Sequence, residues 1–142
     1  MLSQRYPRLY ELAVLSHRAG RWLYWHVGRE RYARVKRHED LPKVIVCHQS
    51  LLLRKLGNSN PRLQMNKIKN LSLASPRIDG VLIRPGETFS LWRLVGHPTA
   101  RKGYFEGLLL SKGEVKTGVG GGLCQLANLI FWMFLHTPLT VT

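Results

Sequence analysis

At 142 residues the chain is long enough for one ordinary domain with its own core, and its two cysteines exclude a disulfide framework. Its 22 basic residues against 8 acidic ones give a net charge of +14, a field that draws nucleic acid, anionic lipid or an acidic partner without choosing among them. The excess is uneven: residues 1–42 hold nine Lys/Arg against four acids, residues 43–77 seven against none, and residues 78–142 six against four.

The chain begins without a signal-peptide layout, because Arg5, Pro7, Arg8 and Glu11 interrupt any early apolar run, so a reduced, cytoplasmic protein is expected. Residues 4–37 place Leu9, Leu12, Leu15, Ala19, Leu23 and Val27 roughly at helical spacing among many Arg and Tyr residues, with Gly20 and Gly28 dividing them into two or three helical pieces. Arg29 to Pro42 reads as a helix end and connector, which sets a domain boundary between a basic helical segment, 1–40, and the remainder, 41–142. After Pro42, Val44-Ile45-Val46-Cys47 reads as a short buried strand with Cys47 as a small core residue. Leu51-Leu52-Leu53 and Leu56 fit either strand or helix. Asn60 is a good N-cap with Pro61 at the first helical position, and Leu63, Ile68, Leu71 and Leu73 carry a helix to about Ser75, stopped by Pro76, with Lys67 and Lys69 toward solvent.

Beyond it the texture predicts a compact β-rich unit. Val81-Leu82-Ile83 and Thr88 to Trp92 read as two strands around Pro85-Gly86, and a second hairpin turns at Lys112-Gly113 between Leu108-Leu109-Leu110 and Glu114 to Thr117. Gly118-Val119-Gly120-Gly121-Gly122 then leads into an apolar helix ending near His136 before Pro138, and Leu139 to Thr142 reads as the start of a strand. The run Leu126 to Leu135 falls well short of the roughly 20 residues a membrane span needs. The expected fold is α+β: a basic helical segment, a small β-rich domain, and a glycine loop leading into a buried C-terminal helix.

Cys124 lies in the first turn of that helix, where free N–H groups and the helix dipole favour an anion such as a thiolate. A nucleophilic cysteine needs a base. His136 is excluded, being about 18 Å away along the same helix at ~1.5 Å per residue. His48 and His97 are the candidates through tertiary contact, and Gln125 or the amides of Gly120, Gly121 and Gly122 are candidates to hold an oxyanion. The competing reading gives the triglycine a purely geometric role, letting the helix pack closely on a strand. No metal site is expected, since the cysteines and histidines lack zinc-ligand spacing, and no cofactor, since neither the P-loop nor the dinucleotide fingerprint is met. The basic region 43–77 is the candidate surface for an anionic polymer or cell-wall ligand.

Four motifs in order, Ile83-Arg84-Pro85-Gly86-Glu87-Thr88-Phe89-Ser90, Val95-Gly96, Lys102-Gly103-Tyr104 and Gly120-Gly121-Gly122-Leu123-Cys124-Gln125, resemble the signature of the VanW family, named from vancomycin-resistance gene clusters. The resemblance covers Leu41 to Thr142. It implies a bacterial protein tied to glycopeptide resistance or cell-envelope processes, accessory rather than essential, with no defined molecular activity. It also implies that the pattern continues past Thr142 into a histidine-rich Glu-Arg segment, so the chain is expected to be a fragment. Two alternatives stand beside it: a cysteine-dependent amidohydrolase or acyltransferase using Cys124, and a non-catalytic binder of anionic polymer or nucleic acid.

Overall fold

The computed structural model describes residues 7–39, 41–53, 60–111 and 114–141. It is an α+β fold, as expected. Helix α1, Pro7–Val27, runs unbroken through Gly20 and ends at Gly28, whose N–H donates to the Tyr24 carbonyl at 2.9 Å. One mid-helix glycine costs only about 1 kcal/mol, so Gly20 does not divide the helix. Gly28 ends the helix rather than dividing it: no second helical piece follows up to residue 37, and a Cβ there would stand 2.4 Å from that carbonyl oxygen. In the turn that follows, the Tyr24 hydroxyl donates to Glu30 at 2.6 Å, and burial together with Glu30 pushes the Tyr32 phenol up to about 12.

The polar stretch after α1 is more than a connector. Strand β1, Arg31–Tyr32, pairs in parallel with β2, Glu87–Thr88, and Ala33 N–H donates to Thr88 O (3.0 Å); a separate antiparallel bridge at Lys36 and Val81 follows, with Leu82 N–H to Val35 O (2.9 Å) and Arg37 N–H to Gly80 O (2.8 Å). This strip corrects the first predicted hairpin. Val81 to Ile83 and Thr88 to Trp92 do not pair with each other, because residues 33–37 take up the backbone groups of 80–88. The chain then coils from Leu91 to Val95 as the short helix α3. The turn at Pro85-Gly86 is real, closed by Glu87 N–H to Arg84 O and by Arg84 N–H to the Glu87 carboxylate, both 2.9 Å.

Residues 44–47 form no strand. Val44 is 78% and Ile45 62% exposed, and Cys47 is exposed as well, since among the described residues no strand pairs with them. Leu51 to Leu53 are neither strand nor helix, and Leu56 lies outside the described residues. Helix α2, Pro61–Ile78, starts as expected, with the Asn60 side chain accepting the Arg62 N–H at 2.9 Å. It passes through Pro76 to Ile78, and the Asp79 N–H closes its end on Ser75 O at 2.9 Å. Lys67 is buried, against expectation; Lys69 is exposed, its ammonium 4.8 Å above the Phe105 ring.

The second hairpin stands as expected. Strands β3, Glu106–Ser111, and β4, Glu114–Val119, pair antiparallel from Glu106 opposite Val119 to Ser111 opposite Glu114; the turn residues 112 and 113 lie outside the described residues. Helix α4, Leu123–Phe134, follows the glycine loop and buries Leu123 and Ile130 while Phe131 and Leu135 stay exposed, so burial is confined to one side. Residues 139–141 form no strand, and Thr142 lies outside the described residues. The core joins Ala74 of α2, Val95 of α3, Tyr104 and Leu123 of α4, with Leu71, Ile78, Leu91 and Leu126 packed around them. Its consequence is positional: α2 is the platform on which both the hairpin and α4 sit.

Candidate functional site

The glycine loop is built by close backbone contact. Gly107 of β3 faces Gly121 so tightly that a Cβ on Gly121 would lie 2.1 Å from the Gly107 carbonyl carbon, a distance real atoms do not adopt. Behind this contact Asn70 of α2, fully buried, donates to Phe105 O and to Gly121 O, each at 2.9 Å, and accepts the Phe105 N–H at 2.8 Å. One amide side chain thus satisfies three buried backbone groups and pins the loop to the start of β3. Gly122 caps α4 with φ +94°, and the aliphatic stem of Lys67 fills the space a side chain would need there. The Lys67 ammonium donates to Leu52 O, tying the exposed 50–53 stretch to the same place.

Cys124 emerges from this scaffold with an exposed thiol. It sits between two apolar clefts. One, of about 300 Å³, is lined by Leu63, Leu108, Leu109, Leu110 and Val115 and closed by Gln125; the other, of about 360 Å³, is lined by Trp92, Pro98, Val119, Leu123 and His97. His97 and Cys124 therefore border one cleft. Burial first, then the positive charges of Arg18 and Lys102, hold the His97 imidazolium below its usual pKa, which favours the neutral, proton-accepting ring at neutral pH.

The other candidates are placed differently. The His48 ring lies 4.2 Å from that of Trp132, which also packs against the His136 ring at 4.0 Å. Trp132 is eight residues along α4 from Cys124, about 12 Å at ~1.5 Å rise, so the structure does not bring His48 to the thiol. The Gln125 amide donates to Ser50 Oγ at 2.9 Å and to Leu51 O at 3.1 Å, which commits its N–H groups to the 50–53 stretch. Several loop amides are likewise engaged: Gly120 N–H with Phe105 O, Gly121 N–H with Gly118 O, and Gln125 N–H with Gly122 O. Among the described residues no three His, Cys, Asp or Glu side chains gather into a metal-holding group.

Asn70 and Gly107 are the residues sequence reasoning missed. Nothing local distinguishes Asn70 from Asn60 or Asn66; only the helix face it occupies, between Lys67 and Ala74 at i−3 and i+4, carried a signal.

An α+β scaffold presenting a cysteine from a glycine loop defines the class of site. The family model for VanW like protein matches residues 66–142, which contain all four motifs and the whole loop. The chain is 38% identical to the Vancomycin B-type resistance protein VanW of Enterococcus faecalis over 99% of its own length and 51% of that protein's. It is 44% identical to the uncharacterized protein YoaR of Bacillus subtilis over 44% of this chain and 20% of that one. The chain belongs to the VanW-like family and spans about half the length, or less, of these curated relatives. No solved structure matches it.

Proposed function

We propose that this chain acts in glycopeptide resistance, within cell-envelope processes, and that the cleft shared by Cys124 and His97 is where it works. The identity of 38% along nearly the whole chain to a vancomycin B-type resistance protein is the observation that carries the role. The test is complementation read as a graded inhibitory concentration, since the resemblance implies an accessory role: in an Enterococcus faecalis strain deleted for that relative and carrying the rest of its resistance cluster, this chain is expected to raise the vancomycin concentration that halts growth above that of the deletion strain. Growth no better than with an empty vector rejects the role.

Cys124 is exposed on a cleft that His97 also lines, and burial holds the His97 imidazolium below its ordinary pKa, which together favour a second, chemical reading of the same site. In it, Cys124 Sγ adds to an amide or ester carbonyl, His97 accepts the thiol proton and returns it to the leaving amine or alcohol, and water or an acceptor amine resolves the thioester. Because Cys47 is also exposed, the thiol is measured in a Cys47→Ser background. Iodoacetamide labelling of Cys124 is expected to exceed that of a free thiol at neutral pH and to fall on His97→Gln; equal rates sink the catalytic reading and leave the resistance role standing.

A further inference from the structure

Helix α1 turns one face to the body of the protein and the other to open solvent. Val14 and Trp25 are half-buried on the inner side, where the Trp25 carbonyl accepts Arg93 Nη1 at 2.6 Å and the Arg18 charge reaches His97. The outer side repeats at helical spacing through Leu9, Leu12, Ser16, Leu23 and Val27, and it is apolar but for one serine. Its large side chains are exposed: Leu9 61%, Leu12 62%, Leu23 55%, Val27 73%. Tyr24 and His17 run along one edge of this stripe, and His26, with the Trp22 ring stacked on it at 4.3 Å, along the other; Trp22 and Tyr24 are more than half exposed.

We propose that α1 is a membrane-surface helix that lays this stripe into the interface of an anionic bilayer. The helix is too polar in its mean composition to cross one, and among the described residues no helix qualifies as a span. Its pattern is that of an element lying in the interface plane: an aliphatic stripe, aromatic rings at the boundary where one end is apolar and the other wet, and Arg18 and Arg21 on the opposite side. Charge decides among occupants. A net +14 opposes pairing of two copies along this face and is complementary to a negatively charged lipid surface. Ser16 spends its hydroxyl on the Ala13 carbonyl at 2.8 Å, so the stripe's single polar group enters the interface already hydrogen-bonded. The stripe lies on the side of α1 opposite Arg18, the α1 residue whose charge reaches His97, so its failure and the failure of the catalytic reading are separable.

The experiment is co-sedimentation of the full chain with vesicles of phosphatidylcholine alone or with about 30 mol% phosphatidylglycerol. Binding to the anionic vesicles is expected, with at least roughly a tenfold loss on neutral vesicles, in ~0.5 M salt, or in the double variant Leu12→Gln/Leu23→Gln. Both leucines are solvent-facing, so the variant keeps its helical circular dichroism. Absence of binding, or equal binding by the double variant, overturns the proposal. So does a dimer in light scattering that the double variant abolishes, which assigns the stripe to a second copy. Equal competition by soluble polyphosphate against the wild type and the double variant overturns it too, since charge alone then explains the attachment.

Discussion

Helix α1 and the glycine-loop junction are both apolar in sequence, and they meet opposite fates. In α1 the leucines of the outer stripe project past the body of the protein, held to it through Trp25, Tyr32 and Arg93, whose guanidinium lies 4.2 Å over the Tyr32 ring. At the loop, glycines with no side chains at all are buried, because Asn70, Gly107, Pro98 and Lys67 close on them. Hydrophobicity supplies a drive to be covered, yet coverage depends on whether another element presents a complementary surface. The junction has one and α1 does not.

The largest test of that contrast is Gly121→Ala. A methyl group at this position meets the Gly107 backbone rather than a movable side chain, so a loss of over about 4 kcal/mol or failure to fold is expected by chemical denaturation. Asn70→Ala comes next. It orphans the Gly121 carbonyl and the Phe105 N–H, while Phe105 O keeps the Gly120 N–H, and is expected to cost about 2 kcal/mol, with Asn70→Asp no better because a carboxylate cannot donate to Gly121 O. Gln125→Ala releases Ser50 and Leu51 and is expected to cost about 1 kcal/mol while speeding proteolysis near residues 50–53. On α1 the same experiments are expected to do almost nothing: Leu12→Gln/Leu23→Gln changes stability by under about 0.5 kcal/mol, since both side chains are already in water. A large loss there would mean that the helix is covered.

The smallest effect is a pH dependence. The folded-state pKa of His97 lies below its ordinary value of 6.5, so on acidification the unfolded chain takes up the proton first. Stability is therefore full above about 6.5, falls as pH drops from there toward the folded pKa, and levels off below it. His97→Gln is expected to remove that slope in thermal melts taken across this window, while a slope that survives assigns it to another group.

Legibility followed the range of the interactions. The Asn60 cap, the β3–β4 hairpin and the glycine-to-helix transition were readable because each is decided by neighbours within a few residues. The predicted strand at 44–47 failed for the opposite reason: a β-branched run specifies a preference for pairing, and among the described residues no strand stands beside it. Residues 31–37, polar and read as a connector, took the ladder positions along 80–88 that local turn chemistry had assigned to a hairpin. The cleft was half legible. Cys124 announced itself through its helix start, whereas nothing in the spacing separated His97 from His48, and only the packing of the Pro98 loop on Gly120 put one of them on the cleft that Cys124 lines.

The sequence by itself determined the family, the charge, the starts of α2 and α4 and the place of the cysteine, all of which are local properties written in residue order. Tertiary structure alone decided that Asn70 would bind the loop, that Lys67 would be buried against Gly122, that His97 rather than His48 would border the Cys124 cleft, and that α1 would keep an apolar face uncovered. Each of these depends on which surfaces meet across dozens of residues, and that is set by packing complementarity rather than by the preference of any one segment.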